Sequence, residues 1–335
     1  MNHIEAFTCA KNPAAPETNE DRIAAIPGRL LAVVDGATDI GGHRYDDRLG
    51  RSATGGRLAS EAVAEALAIA AAGSFTELPD PIELVGRLNA AIAAVYSRLN
   101  LSEEDVASGR HRFRAAFSAA LIAGPAIRLV ALGDCTIRIN GKEVLGHSFP
   151  GDTVLSKARS VAWGILAGRG LEADTIRPLA RQVIVTGPAS GALPQPFRAE
   201  DAETICDAVR SDPAVRAACG DDLALIDRLL RVGLEGVRQS PETFDAVSLD
   251  GHGDPSSATR WTDLDLADVE TLELASDGYP VLPETTGIAA WEAALARADA
   301  TDPDRIDTHL STKGRTATTF GDDRSILIAN RTFSP

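Results

Sequence analysis

The sequence lacks the features that mark several large classes of protein. No stretch approaches the roughly 18 consecutive apolar residues of a membrane-spanning helix. Residues 1–5 contain neither the basic nor the apolar run of a secretory signal. The four cysteines form no C-x-x-C pair, and no Cys/His cluster has zinc-ligand spacing. We therefore expect a cytoplasmic protein whose thiols are reduced.

An excess of basic residues is also missing. The chain has 48 acidic and 33 basic side chains, which gives a formal net charge of -15. Nucleic acid and anionic membranes both need a basic face, so we expect neither as a partner. No segment has the ligand spacing of an EF-hand, which disfavours a calcium-binding structural protein.

Apolar periodicity indicates a globular domain of strands and helices. Of the 335 residues, 44% are hydrophobic, enough for a large core. Short apolar or alternating runs bounded by turn dipeptides predict strands at 4–9, 22–26, 30–34, 115–123, 127–132, 136–139, 143–145, 246–249, 271–275 and 325–329. Helical spacing predicts helices at 57–72, 81–99, 154–166, 201–209, 222–237 and 288–298.

The order of these elements predicts the fold class. Strands come first, helices follow, and strands return, with few β-α-β alternations. This pattern favours an α+β fold in which helices cover antiparallel sheets. We expect a single domain over residues 1–335, with a variable, mostly helical insert or flap at about 149–239.

Acidic residues stand at the ends of several apolar strands. The strand ends or starts concerned carry Asp35, Asp134, Asp277 and Asp322, and Glu20-Asp21 precede a further strand. Neighbouring antiparallel strands place the end of one beside the start of the next, so these positions can meet at one sheet edge. Each single Asp-Gly pair is also an ordinary turn dipeptide. The prediction rests on several positions that share one context.

Carboxylates that meet at one edge need a counter-charge. Like charges raise each other's pKa unless a cation neutralises them. Oxygen ligands without His or Cys favour Mg²⁺ or Mn²⁺, with Ca²⁺ as an alternative. Two such ions that share a bridging carboxylate can bind a water between them and lower its pKa, which yields a hydroxide for in-line attack on phosphorus. The pattern therefore indicates a metal-dependent phosphoester hydrolase.

Five motifs resemble, in order along the chain, those of the type 2C metal-dependent serine/threonine protein phosphatases in their bacterial form. They are Asn19-Glu20-Asp21, Val33-Val34-Asp35-Gly36-Ala37-Thr38-Asp39, Ala131-Leu132-Gly133-Asp134, Leu274-Ala275-Ser276-Asp277-Gly278 and Asp322-Asp323-Arg324-Ser325. The resemblance runs from about residue 3 to 331 and is poor over 149–239. It implies a central β-sandwich of two antiparallel sheets flanked by helices, with the site in a cleft at one end.

The resemblance also implies roles for individual residues. Asp35 would bridge two Mn²⁺ or Mg²⁺ ions, one of them bound by the Gly36 carbonyl. Asp277 and Asp322 would complete the direct ligands. Glu20 and Asp21 would act mostly through waters, and Asp134 with Asp277 would match a third, weaker metal position. The expected reaction is hydrolysis of a phosphomonoester, on a phosphorylated protein or a small phosphoester, without a covalent phosphoenzyme.

Two positions depart from the family. The phosphate-binding Arg four residues before the Glu is replaced by Pro16, for which Lys11 or Arg22 could substitute. The His that often follows Asp-Gly is Ala37, and His43 is the candidate general acid. These departures leave open a protein serine/threonine phosphatase, a phosphatase of a small metabolite, and a catalytically weak regulatory or binding module on the same fold.

Overall fold

The structure of the chain, a computed structural model, describes residues 1, 3–38, 41–73, 77–316 and 318–331. Asp39, the last residue of the predicted D-G-A-T-D motif, lies outside these ranges. The chain folds into two compact units. The first, here the sheet unit, comprises Met1–His147, Val247–Leu295 and Asp322–Pro335. The second, here the helical unit, comprises Ser148–Ala246 and Ala296–Gly321.

Two five-stranded antiparallel sheets form the sheet unit. The strands are β1 (His3–Cys9), β2 (Arg22–Ile26), β3 (Leu30–Gly36), β4 (Tyr45–Asp46), β5 (Ser52–Ala53), β6 (Ala115–Ala123), β7 (Ala126–Leu132), β8 (Thr136–Ile139), β9 (Glu143–Leu145), β10 (Arg260–Asp265), β11 (Thr271–Ala275) and β12 (Arg324–Asn330). One sheet has the order β1-β12-β11-β8-β9 and the other β10-β7-β6-β3-β2, while β4 and β5 pair separately.

The helices in chain order are α1 (Gly55–Ala72), α2 (Pro81–Arg98), α3 (Glu103–Ala107), α4 (Pro150–Gly168), α5 (Ala173–Thr186), α6 (Ala199–Ser211), α7 (Pro213–Ala218), α8 (Leu223–Gln239) and α9 (Ile288–Thr301). Capping follows the sequence signals where they are present. Asp80 accepts hydrogen bonds from the backbone N–H groups of Ile82 and Glu83, and Pro81 occupies the first position of α2.

Alternating side chains of β3 show how the sandwich is built. Leu31 and Val33 join the core between the two sheets, together with Leu274 and Leu327 of the other sheet. The intervening side chains, such as Val34, pack against α1 and α2 on the outer face. The start of α9 covers the outer face of the other sheet through a separate cluster that includes Trp291. The predicted α+β sandwich of two antiparallel sheets flanked by helices is confirmed.

Turn chemistry was a reliable guide to the hairpins. Pro27-Gly28 joins β2 to β3, and Gly124-Pro125 joins β6 to β7. Asn140 and Gly141, between β8 and β9, have φ of 52° and 68°, a conformation that Asn and Gly adopt at least cost.

The helical unit has its own core. Buried side chains of α4 to α8, among them Leu155, Trp163, Ile205 and Leu229, form one apolar cluster. Across the described part of the chain, no helix is both long enough and apolar enough to span a bilayer. Whether this unit is the predicted insert of a single domain stays a prediction.

One predicted strand was wrong, and several elements were not predicted. The strand predicted at 246–249 is a single bridge between Leu249 and Ala115. The edge strand β10 was not predicted, because the exposed, charged residues Arg260, Asp263 and Asp265 obscure its alternation. Nor was α5 predicted, because Pro178 lies inside that helix and Pro is a strong helix breaker.

Candidate active site

The strand registers bring the predicted acidic positions to one end of the sheet unit. Asp21 precedes β2 and Asp35 lies near the end of β3, and the antiparallel pairing of these strands puts both at the same end. Asp277 follows β11 and Asp322 precedes β12, and their antiparallel pairing has the same consequence. Asp134 lies in the connection from β7 to β8, and β8 pairs with β11.

Hydrogen bonds join the two sheets at this end. The Ser276 Oγ donates to Asp21 Oδ2 over 2.7 Å, and the Glu20 backbone N–H donates to Asp323 Oδ2 over 3.0 Å. In each pair, one residue flanks a strand of one sheet and the other residue flanks a strand of the other sheet. Acidic segments that are distant in sequence therefore share one site.

Glu20 is 1% exposed, and each of its carboxylate oxygens has partners. Oε1 accepts from the Thr54 hydroxyl at 2.5 Å, and Thr54 is also the N-cap of α1. Oε2 accepts from the Thr38 hydroxyl at 2.8 Å and from the Lys11 ammonium at 2.9 Å. The start of α1 and the segment after β3 thus hold the Glu20 side chain in a single orientation.

Asp21 lies in an environment that disfavours its negative charge. It is 2% exposed, and its Oδ1 is buried without a hydrogen-bond partner among the described residues. Burial raises the pKa of Asp21 to about 7; the Ser276 hydrogen bond opposes this shift, and the charges of Asp322, Asp323 and Asp277 add to it. A buried carboxylate oxygen with no partner, surrounded by like charges, is an arrangement that a cation would stabilise.

Close backbone approach explains the glycine after Asp35. Asp35 is 8% exposed. A Cβ on Gly36 would lie 2.3 Å from the Gly56 carbonyl oxygen and 2.7 Å from the Glu20 carbonyl oxygen. Only glycine fits there, because real Cβ atoms do not approach backbone atoms so closely. The geometry permits the backbone of β3 to come against the start of α1 beside the carboxylates.

The second sheet contributes a similar contact. A Cβ on Gly278 would lie 2.2 Å from the Asp323 carbonyl oxygen, so Asp277-Gly278 lies directly against the segment before β12. Asp323 is 2% exposed, and its Oδ1 accepts the Lys11 backbone N–H at 2.7 Å. Asp322 Oδ1 accepts the Asp323 backbone N–H at 2.9 Å. Asp323 therefore joins the chain after β1 to the chain before β2.

An ammonium group lies among these carboxylates. The Lys11 Nζ is 2.9 Å from Glu20 Oε2, 3.3 Å from Asp323 Oδ2 and 3.5 Å from Asp322 Oδ1. It also donates to Thr38 Oγ1 over 2.7 Å. One positive charge thus contacts three negative charges.

The pKa of the buried Cys135 thiol indicates that other acidic residues of the site lie nearby. Burial raises its pKa well above the usual value, and the charges of Asp35, Asp134, Asp21 and Asp277 raise it further. Asp134 itself is exposed. Four of the predicted ligand residues therefore lie near enough to act on one buried group.

The predicted general acid lies in an aromatic cluster. The His43 ring is 4.7 Å, centroid to centroid, from the His111 ring. His111 Nδ1 is 2.7 Å from the Tyr45 hydroxyl, and the Tyr45 ring packs edge-on against Phe113 at 4.6 Å. The role of His43 in proton transfer stays a prediction.

Of the two substitutes for the missing phosphate-binding Arg, Arg22 is committed elsewhere. Its guanidinium donates to the carbonyl oxygens of Asn19 and Asp21 and forms an ion pair with Glu61 at 2.5 Å. Lys11 is the cation that faces the carboxylates.

The donor chemistry of the site fits a divalent cation. The carboxylates that converge there are hard oxygen donors, and the buried Asp21 Oδ1 has no hydrogen-bond partner in the described residues. The side chains do not, however, form a ready ligand shell. Within the described ranges, no three His, Cys, Asp or Glu side chains are grouped so that they could hold a metal ion. The ligand set Asp35, Gly36, Asp277, Asp322, Glu20, Asp21 and Asp134 therefore stays a prediction.

Sequence reasoning missed two residues that matter in this site. Asp323 was read only as part of a motif, yet it accepts backbone N–H groups from two segments. Lys11 was considered only as a phosphate ligand. The doubled Asp322-Asp323 before an apolar strand could have pointed to Asp323, whereas nothing in the loop that carries Lys11 signals where its ammonium lies.

Comparisons with known proteins gave matches only among solved structures. No protein-family model matches the chain, and no curated protein does. A crystal structure of the Mycobacterium tuberculosis serine/threonine phosphatase PstP/Ppp is 18% identical, with 99% of each chain covered and a TM-score of 0.46. The PstP catalytic domain in complex with two manganese ions is 16% identical, with 98% of this chain and 97% of that chain covered and a TM-score of 0.46.

A third structure, the serine/threonine phosphatase Stp1 from Staphylococcus aureus, is 12% identical, with 99% of this chain and 96% of that chain covered and a TM-score of 0.44.

Proposed function

We propose that this protein is a metal-dependent phosphomonoester hydrolase that acts on phosphoserine or phosphothreonine in proteins. The observation that carries the proposal is the convergence of acidic residues from both sheets around Asp21 Oδ1, which is buried and has no hydrogen-bond partner among the residues that the structure describes. A structural role does not account for it, because like charges at one site destabilise the fold unless cations neutralise them, and the single ammonium of Lys11 contacts Glu20, Asp322 and Asp323 but not Asp21.

Asp35, Asp277 and Asp322 would hold Mn²⁺ or Mg²⁺ directly, with the Gly36 carbonyl as a further ligand. When bound, such ions would supply a water of lowered pKa and neutralise phosphate charge, and Asp134 with Asp277 would hold a third ion. Glu20 and Asp21 are oriented by Thr54, Thr38 and Ser276, so they would accept hydrogen bonds from ordered water with little loss of freedom.

The direct test is hydrolysis of p-nitrophenyl phosphate by purified protein with Mn²⁺ and then with EDTA. We expect activity that EDTA abolishes and that Asp35→Asn or Asp277→Asn lowers by at least about 100-fold, the usual size of a lost transition-state contact. Asp268→Asn removes the same charge from an exposed position and serves as the control. Absence of hydrolysis with any divalent ion, in a folded protein, contradicts the proposal.

The substrate class needs a second measurement. We expect phosphopeptides to be hydrolysed with higher kcat/KM than phosphorylated metabolites. A preference for a small metabolite would keep the chemistry and change the biological role.

A regulatory or binding module that has lost turnover is the second candidate. The contacts of Lys11 with three acidic side chains favour it, since an ammonium already offsets part of their charge. Divalent-ion binding without hydrolysis of any phosphoester would identify this alternative.

We also propose that residues 1–335 act as one phosphatase-like domain, with the helical unit as its insert. A single calorimetric unfolding transition is expected, and two separate transitions would contradict it. The net charge of -15 and the four free cysteines support a cytoplasmic enzyme that does not bind nucleic acid or membranes.

A further inference from the structure

Hydrogen bonds hold the backbone of Lys11, in the chain after β1, beside the acidic site. The Lys11 backbone N–H donates to Asp323 Oδ1 over 2.7 Å. The same carboxylate accepts the Glu20 backbone N–H through its other oxygen. Asp323, a residue of the site, therefore holds the backbone from which the Lys11 side chain extends to the carboxylates.

The ammonium of Lys11 makes the contacts expected of a bound cation. It approaches oxygens of Glu20, Asp323 and Asp322 at 2.9, 3.3 and 3.5 Å, and the Thr38 hydroxyl at 2.7 Å. Its side chain is 18% exposed, and those of Glu20 and Asp323 are each 2% exposed. Contacts so far from water are screened weakly, so the charges act on each other strongly.

One ammonium cannot satisfy the whole cluster. It contacts three carboxylates, while the buried Asp21 Oδ1 has no hydrogen-bond partner within the described residues. No three acidic side chains in those residues form a group that could hold a metal ion, although three of them surround one ammonium. The arrangement is that of a partly neutralised cation site.

We propose that Lys11 is a built-in counter-ion of this site, and that a divalent ion must displace its ammonium from Glu20, Asp322 and Asp323 before it binds. The inference rests on the proposed function only for the identity of the ion. The four-carbon stem of lysine is flexible, so the ammonium can leave without movement of the backbone that Asp323 holds. The native chain would thus bind divalent ions less tightly than its carboxylates allow.

The first experiment is a calorimetric titration of Mn²⁺ into metal-stripped wild-type protein, Lys11→Met and Lys142→Met. Lys142 lies in the turn between β8 and β9, at the opposite end of β8 from Asp134, and its loss changes the net charge equally. We expect Lys11→Met to bind Mn²⁺ about tenfold more tightly, which corresponds to about 1.4 kcal/mol. Lys142→Met should match the wild type.

A second measurement uses the unaltered chain, in case Lys11→Met does not fold. Wild-type protein is acetylated by an amine-reactive ester with and without saturating Mn²⁺, and the modified lysines are quantified by mass spectrometry. We expect Mn²⁺ to raise the labelling rate of Lys11 several-fold relative to that of Lys142, because the displaced amine leaves its contacts with the three carboxylates and becomes accessible to the reagent.

The outcomes separate this inference from the proposed function. Equal Mn²⁺ affinity in wild type and Lys11→Met, with unchanged labelling of Lys11, overturns the inference and leaves the hydrolase proposal intact. Uptake by Lys11→Met alone supports the inference and contradicts metal-dependent hydrolysis by the native chain. If no form of the protein takes up Mn²⁺, both fail.

Discussion

Buried charges are treated differently in the two units of this protein. In the helical unit, the 3%-exposed Asp302 accepts backbone N–H groups from Ile306, Asp307 and His309. In the sheet unit, the 2%-exposed Asp21 has one oxygen with no partner in the described residues. Both aspartates are buried, but only Asp302 accepts hydrogen bonds from nearby backbone groups on both of its carboxylate oxygens.

The pKa directions follow from this difference. Burial raises the pKa of Asp302, but its backbone hydrogen bonds have a greater effect and the net shift is downward. For Asp21 burial and three neighbouring acidic residues together raise the pKa to about 7. A buried charge whose hydrogen bonds are all made indicates a structural role. A buried charge that lacks them indicates a site that binds a ligand.

Other charges of the helical unit are also paired. The Arg159 guanidinium donates to the carbonyl oxygens of Arg305 and Ser311, each at 3.0 Å. Arg177 binds both oxygens of Asp304, at 2.6 and 3.2 Å. This unit therefore uses its buried charges to tie the segment 296–321 to α4 and α5.

Removal of a satisfied buried charge should have the largest effect on stability. Asp302→Ala leaves three backbone N–H groups without their acceptor, so we expect the free energy of unfolding to fall by about 3 kcal/mol or more. Urea denaturation measures it, with Asp307→Ala, an exposed neighbour, as the control. A loss below about 0.5 kcal/mol, typical of a surface substitution, would remove the contrast between the two aspartates.

The contribution of Asp302 to stability should depend on pH. Because the pKa of Asp302 is lower in the folded chain, its contribution is fully present above the pKa of an unfolded aspartate and is lost as the pH falls through the lowered value. The stability difference between wild type and Asp302→Asn should therefore shrink on acidification below about pH 4. A difference that stays constant down to pH 2 would show that the charge of Asp302 is not what stabilises the fold.

For Asp21 we expect the opposite effect, because removal of its charge should stabilise the metal-free fold. At pH 8, above its raised pKa, the wild-type carboxyl is charged and surrounded by like charges. Asp21→Asn should raise the free energy of unfolding of the metal-free protein by about 1 kcal/mol or more, since one pKa unit represents about 1.4 kcal/mol. Asp268→Asn, which removes an exposed charge, should change it by less than about 0.5 kcal/mol. Destabilisation by Asp21→Asn would place Asp21 among the architectural charges.

An exposed ion pair should have the smallest effect. Arg128 donates to both oxygens of Asp263, each at 2.6 Å, between β7 and β10, and the Asp263 side chain is 44% exposed. Asp263→Asn should cost about 0.5 kcal/mol, because solvent screens such pairs. A cost equal to that of Asp302→Ala would mean that burial does not decide the value of a charge in this fold.

The sequence predicted the positions where chemistry could gather better than it predicted their contacts. Continuous apolar character identified β3 as buried on both faces, and turn dipeptides identified the hairpins, because these patterns depend on local physics. Position at strand ends brought Asp35 and Asp277 to the same end of the unit as Asp21. The edge strand β10 was missed because it is largely exposed and therefore lacks a buried face to show in the sequence.

The position of the Lys11 ammonium could not be predicted, since it depends on a Pro-rich loop without periodicity and on Asp323, more than 300 residues away in the chain. The link between Asp21 and Ser276 is likewise a contact between sheets, which no local pattern encodes.

The most direct test of the central claim is uptake of Mn²⁺ by the metal-stripped chain, measured by calorimetry for wild type and Asp35→Asn. Saturable uptake of about two ions per chain is expected for the wild type, with loss of at least one of them in Asp35→Asn. Absence of uptake by the wild type, or uptake that Asp35→Asn and Asp277→Asn leave unchanged, would contradict the claim that these separate carboxylates form one cation site.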